Sequence, residues 1–79
     1  MFSAVKQVIP KNDYILFLIF ENGERRLFDM KPYLEKGIFK ELKDVNMFKT
    51  VRVNFDSIEW QNEADIDPEV LYYYSTKIE

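Results

Sequence analysis

The feature that most constrains the fold is a run of apolar residues at 14–20 (YILFLIF), followed after one residue by Asn22–Gly23. Asn-Gly is favoured by two-residue type I′ turns, because both central positions of that turn need a positive φ. The dipeptide therefore predicts a β-hairpin in which Phe17 faces Phe28. A strand that is apolar at every position is typical of a central strand with both faces covered. The hairpin should therefore lie in the middle of a sheet.

Alternation of apolar and polar residues predicts the remaining strands. With the hairpin they lie near residues 2–9, 14–20, 24–29 and 49–55. In the last of these, Val51, Val53 and Phe55 share one face and should be buried, since side chains alternate along a strand. Residues 57–60 either continue this strand or pair with it, with Trp60 on the core face.

Two segments are predicted to be helical. Residues 31–43 form a short helix or turns. A C-terminal helix starts at Asp67–Pro68, because aspartate caps free backbone amides and proline suits the first helical position. Leu71 and Tyr74 should dock this helix against the core.

The chain has 79 residues, which predicts one α+β domain, residues 1–79. Its sheet should be mixed or antiparallel, with an N-terminal hairpin and short helices. Because a domain of this size buries only about 60–65% of the surface that its unfolded chain exposes, its margin of stability is thin.

Composition argues against most enzyme classes. Without cysteine or histidine the chain has no disulfide, no thiolate zinc site and no side chain that titrates near neutrality at its ordinary pKa. Two glycines leave no phosphate-binding loop. Asp65, Asp67 and Glu69 have the alternate spacing of calcium ligands, but Val70 stands where a calcium loop needs glycine. We therefore predict no catalytic residue, no metal and no cofactor.

Charge and hydropathy restrict the partners. The formal net charge is −3, whereas proteins that bind phosphates are usually basic, so direct contact with nucleic acid is not expected. The apolar run at 14–20 is far shorter than the ~20 residues that a membrane-spanning helix needs. The sequence predicts a cytoplasmic protein without a membrane anchor, provided that no upstream segment was removed.

Three motifs together resemble the family called domain of unknown function 2442. They are "V..V.P..DY.L...F.NGE.R.FD" at 5–29, "G.F..L.D...F..V.V" at 37–53 and "I.W...AD..PE.LY" at 58–72. The resemblance implies a small, mostly bacterial α+β domain with no established catalytic residues. Some members precede a DNA-binding helix-turn-helix, and others are encoded beside a small toxin-like protein. Residues 61–63 (QNE) depart from the proline and glycine common there in the family.

The function predicted is a non-catalytic protein-interaction module, with another small protein or a second copy as its partner. The resemblance adds the hypothesis of an antitoxin-like partner of a toxin-like protein. The alternative is a nucleic-acid-associated regulator, in which Trp60 and the C-terminal tyrosines would stack on bases. The candidate protein-binding residues are Arg25, Arg26, Asp65, Tyr72 and Tyr73. The residues predicted to be structural are Asn22, Gly23, Trp60, Asp67 and Pro68.

Overall fold

The computed structural model describes residues 3–78. Over this range the chain is α+β, as predicted, with two antiparallel sheets and short helices. The strands are β1 (Val5–Lys11), β2 (Ile15–Phe20), β3 (Arg25–Asp29), β4 (Arg52–Asn54), β5 (Ser57–Glu59), β6 (Asp65–Ile66) and β7 (Thr76–Ile78). The α-helices are α1 (Val45–Phe48) and α2 (Pro68–Tyr74), and 3-10 turns lie at Asn12–Tyr14, Lys31–Tyr33 and Gly37–Lys43.

The first sheet has the strand order β1-β2-β3-β7. The long apolar strand β2 is therefore an inner strand, as predicted. The first strand was expected at 2–9 and ending before Pro10, but it runs from Val5 through Pro10 to Lys11; residue 2 lies outside the described residues. Proline has no backbone N–H to donate to a neighbouring strand. It is tolerated there because β1 is an edge strand, which is paired on one side only.

The hairpin between β2 and β3 differs from the predicted type I′ turn by one residue. Its loop has three residues, since the Phe20 amide donates to the Glu24 carbonyl at 2.9 Å and the Gly23 amide donates to the Phe20 carbonyl at 2.9 Å. Gly23 has φ 89°. The Asn22 side-chain oxygen accepts a hydrogen bond from the Glu24 amide at 2.9 Å, which forms an Asx-type turn. Phe28 consequently faces Leu16 and not Phe17, so the predicted register is wrong.

The second sheet has the order β4-β5-β6, so the strand predicted near 49–55 does not join the first sheet. Its connection to the first sheet includes the Val5 amide, which donates to the Asp56 carbonyl at 3.1 Å. Phe55 was predicted to be buried and is 92% exposed, because β4 ends at Asn54 and Phe55 lies in the turn to β5. Strand β6, strand β7 and helix α1 were not predicted.

Helix α2 begins at Pro68, as predicted, and the Asp67 carboxylate accepts the Glu69 amide at 2.9 Å. Leu71 is fully buried, but Tyr74 is 71% exposed, so the prediction that Tyr74 docks the helix is wrong. One turn beyond Leu71 lies Ser75, which is buried and continues the buried face of the helix.

The core lies between the inner face of the first sheet, the second sheet and the helices. Its fully buried side chains include Val5, Leu16, Leu18, Phe20, Phe28, Met30, Leu42, Ile58, Trp60 and Leu71. The prediction that Trp60 is buried is confirmed. Its Nε1 donates to the Phe48 carbonyl at 3.0 Å, and its ring lies 6.3 Å from that of Phe39.

We expect Trp60→Ala to lower the free energy of unfolding by about 3–5 kcal/mol, because it leaves a large cavity and removes the partner of the Phe48 carbonyl. A loss of this size would unfold much of a domain this small. Urea denaturation measures it, with Tyr73→Ala as the control, since Tyr73 is 66% exposed and its loss should change stability by less than about 0.5 kcal/mol. Equal stabilities of the two variants would contradict the scaffold role of Trp60.

Candidate protein-binding surface

The side of the first sheet that faces away from the core carries three rows of side chains in register. The rows, which together define the outer face, are Gln7–Ile19–Arg25–Ile78, Ile9–Phe17–Leu27–Thr76 and Lys11–Ile15–Asp29. They lie on one side because alternate residues of a strand point to the same face, and cross-strand partners share that face.

The outer face is apolar at its centre. Its apolar side chains are partly exposed, with Leu27 at 38%; they are Ile9, Ile15, Phe17, Ile19, Leu27 and Ile78. None of these six belongs to the core or to the partly buried shell that packs against it in the described part of the chain. The prediction that both faces of β2 are covered is therefore wrong. An antiparallel sheet with one solvated face normally carries polar residues there, and β2 does not.

Charged residues border this apolar centre. The Lys11 ammonium lies 5.9 Å from the centroid of the Phe17 ring, at the β1 edge. Asp29 lies at the β3 end of the row that begins with Lys11. The Lys31 ammonium forms ion pairs with the Asp29 and Asp13 carboxylates, at 3.1 Å each. The hydrogen bond from Lys31 to Asp13, with that to Asp29, raises the pKa of the lysine, so it stays cationic. Two carboxylates around one ammonium leave a net charge of −1 at this end.

Arg25 lies on the outer face, where it is exposed. Arg26, its neighbour in sequence, is on the inner face and is occupied by contacts within the chain. The Arg26 guanidinium lies 4.4 Å from the centroid of the Tyr72 ring and 3.4 Å from the Glu24 carboxylate. Tyr72 in turn donates its hydroxyl to Glu24 at 2.8 Å, and its ring packs edge-on against Phe20 at 5.2 Å. Arg26 and Tyr72 thus attach α2 to the hairpin.

Tyr73 and Asp65 lie elsewhere again. Tyr73 is exposed on α2, and Asp65 is exposed on β6. Asp65 lines an open groove of about 380 Å³ together with Phe55 and Asp67. The five candidate residues therefore do not form a single site. Of the five, Arg25 alone lies on the outer face, and the sequence pattern did not identify the apolar residues around it.

One of the carboxylates at 65–69 is part of a helix cap. Asp67 is used as the helix cap, and residues 3–78 contain no group of three or more carboxylate side chains placed to hold an ion. Among the same residues, no helix has the length and hydropathy required to cross a membrane.

The fold and the outer face define a small α+β domain with one sheet face uncovered. The chain belongs to the family described as "protein of unknown function (DUF2442)", whose family model matches residues 5–77. The resemblance seen in the motifs is thereby confirmed over nearly the whole chain. No curated protein and no solved structure matches the chain.

Phe55, like Tyr74, is exposed although the sequence pattern predicted it to be buried. It has φ 57°, a left-handed conformation that a bulky side chain adopts at a cost of about 1–2 kcal/mol. The polar neighbours Asn54 and Asp56 were the available signal for a turn there, since both residue types favour turns.

We expect Phe55→Asn to raise the free energy of unfolding by about 1 kcal/mol, because asparagine tolerates positive φ and no core contact is lost. The matched control is Phe55→Ala, which removes the same exposed ring but keeps the unfavourable φ, and which should bring no gain. Chemical denaturation of both variants measures the difference. If alanine stabilised the protein as much as asparagine, loss of the exposed ring would be the cause, and not relief of the backbone.

The contact between Tyr72 and Glu24 predicts an alkaline loss of stability. The hydrogen bond to the Glu24 carboxylate raises the pKa of the Tyr72 hydroxyl above its ordinary value of 10.0. The folded protein therefore holds this proton more tightly than the unfolded chain does. The resulting stabilisation is complete below a pH of about 10 and is lost as the pH rises through the folded pKa.

We expect Tyr72→Phe to melt at a lower temperature than the wild type near neutral pH, and the difference to shrink above pH 10. Lys31, whose pKa is also raised, titrates in both proteins and cancels in the comparison. Thermal melts followed by circular dichroism across the alkaline range measure this. Equal melting temperatures of the two proteins near neutral pH would show that the ring, which Tyr72→Phe keeps, and not the hydroxyl, holds α2 in place.

Proposed function

We propose that the protein is a non-catalytic protein-binding module and that the outer face is its binding surface. The observation that supports this most strongly is the uncovered apolar centre of the sheet. Four strands about 4.8 Å apart and three rows about 6.8 Å apart give the face a footprint of roughly 400 Å². The apolar centre is part of that area, and the largest apolar patch of a monomer, typically about 300–600 Å², is often functional.

The arrangement of residues on the face resembles the anatomy of protein interfaces. Phe17 occupies the centre of the middle row, with apolar side chains on both neighbouring strands. Gln7, Lys11 and Asp29 lie at three corners of the face, and Arg25 lies between Ile19 and Ile78 in the first row. An apolar centre with a polar rim is the usual design of an interface, and a central aromatic side chain contributes most of the binding energy. Phe17 is therefore the proposed anchor.

The family resemblance adds the hypothesis that the partner is a small toxin-like protein, with this chain in the antitoxin-like role. That hypothesis rests on family analogy, whereas the binding surface rests on the residues themselves. The outer face suits a flat, mainly apolar protein surface, because a sheet face offers side chains in rows and no deep pocket.

The alternative, a nucleic-acid-associated regulator, has less support. The stacking platform that suggested it included Trp60, and Trp60 is 0% exposed. The net charge of −3 opposes contact with phosphates. Titration of labelled DNA and RNA at low salt tests this function, and binding that weakens steeply as salt rises would support it.

We expect the tagged wild-type chain to retain a specific protein from a lysate of its native host, and Phe17→Glu to lose it. Burying an unpaired carboxylate at the centre of the face would cost a large desolvation free energy. The matched control is Tyr73→Glu, which places the same charge on an exposed aromatic outside the face and should retain the protein. Melting temperatures of all three chains confirm folding. Retention by Phe17→Glu would contradict binding through the outer face. Capture of the tagged chain's own copies alone would leave a second copy, and not a separate protein, as the partner.

A further inference from the structure

We infer that the outer face binds a second copy of this chain, face to face, to form a twofold-symmetric dimer. This rests on the proposed function, since it names the partner of the same surface. The inference comes from the pattern of the three rows, in which apolar and charged residues are placed so that the face complements itself.

A face-to-face dimer needs a twofold axis that lies in the plane between the two sheets. If the axis runs along β2, each side chain of β2 meets its own counterpart, and β1 residues face β3 residues of the same row. Ile9 then faces Leu27, and Phe17 meets Phe17. Lys11 faces Asp29, which pairs opposite charges twice, once on each side of the axis.

If the axis instead runs across the strands through the middle row, the first and third rows face each other on each strand. Ile15 then meets Ile19, Phe17 again meets Phe17, and Asp29 faces Arg25. In both arrangements apolar side chains meet apolar side chains and Asp29 faces a cation. A random partner surface has no reason to match this pattern, whereas a second copy matches it by symmetry.

The charge at Asp29 is available for such a contact. Its carboxylate is half exposed although it bonds to Lys31, and the group formed with Asp13 keeps a net charge of −1. Lys11 touches only the edge of the apolar centre, through Phe17. Two faces of roughly 400 Å² bury about 800 Å² in all, less than stable complexes bury, so the dimer should be weak and transient, with a dissociation constant of roughly tens of micromolar.

The first measurement is the mass in solution. Sedimentation equilibrium of the wild type should give a concentration-dependent mass that rises from 9.6 kDa toward twice that value. Phe17→Glu should remain monomeric at the same concentrations, and Lys49→Glu, an exposed lysine outside the face, should behave as the wild type does. A wild type that stays monomeric at several hundred micromolar, a concentration well above the expected dissociation range, would overturn the inference.

The second measurement tests which residues meet. Lys11→Glu, Arg25→Glu and Asp29→Lys are prepared separately. Asp29→Lys puts a cation opposite a cation with either axis, and should raise the dimer dissociation constant at least roughly tenfold. Lys11→Glu should do the same if the axis runs along β2, and Arg25→Glu if it runs across the strands. Because Asp29 also accepts the Lys31 amide, circular dichroism checks that Asp29→Lys folds, and Phe17→Glu remains the variant that leaves this contact intact.

Mixing the variants then identifies the axis. Asp29→Lys with Lys11→Glu should restore a heterodimer, seen by its mass in native mass spectrometry, if the axis runs along β2. Asp29→Lys with Arg25→Glu should restore it if the axis crosses the strands. No restoration by either mixture overturns the inference. If the wild type is monomeric but still captures another protein through Phe17, the dimer fails and the proposed function stands; if it does neither, both fail.

Discussion

The register of the β2–β3 hairpin is the constraint on which the rest of the structure depends. Because side chains alternate along a strand, a slip of one residue would move the side chains of β3 to the opposite face. The three-residue turn that ends at Gly23 places Phe28 opposite Leu16 and Leu27 opposite Phe17. Phe28 thereby enters the core, and Leu27 remains 38% exposed on the outer face.

The same register places Arg26 opposite Leu18, on the face that builds the core. A guanidinium there must be compensated, and the chain does so with the Glu24 carboxylate and the Tyr72 ring. These polar contacts join α2 to the hairpin at defined atoms. The position of the C-terminal helix is therefore tied to a turn about fifty residues earlier, through the hydrogen bond from Tyr72 to Glu24.

The sequence predicted those features that depend on neighbouring residues. The start of α2 was predictable because Asp67 and Pro68 are a local signal, and the burial of Trp60 was predictable from its alternation with Ile58. The turn at Asn22–Gly23 was ambiguous, because the same dipeptide fits two-residue loops and three-residue loops with glycine in the left-handed region. Strands β6 and β7 have two and three residues, which is too short for any periodicity, and only long-range pairing defines them.

The candidate surface shows most clearly what sequence could and could not tell. The unbroken apolar strand predicted that both of its faces are covered, but in the described part of the chain only the inner face is covered. The apolar residues of the other described elements that pack against the core do so on the inner side of β2. A partner on the outer face would cover these apolar side chains. Each unit of apolar area buried there would contribute the same free energy as burial within the chain. Stability would then depend on concentration, because binding to the folded state alone stabilises it by mass action. For a domain with so thin a margin, folding and such an association would become two parts of one equilibrium.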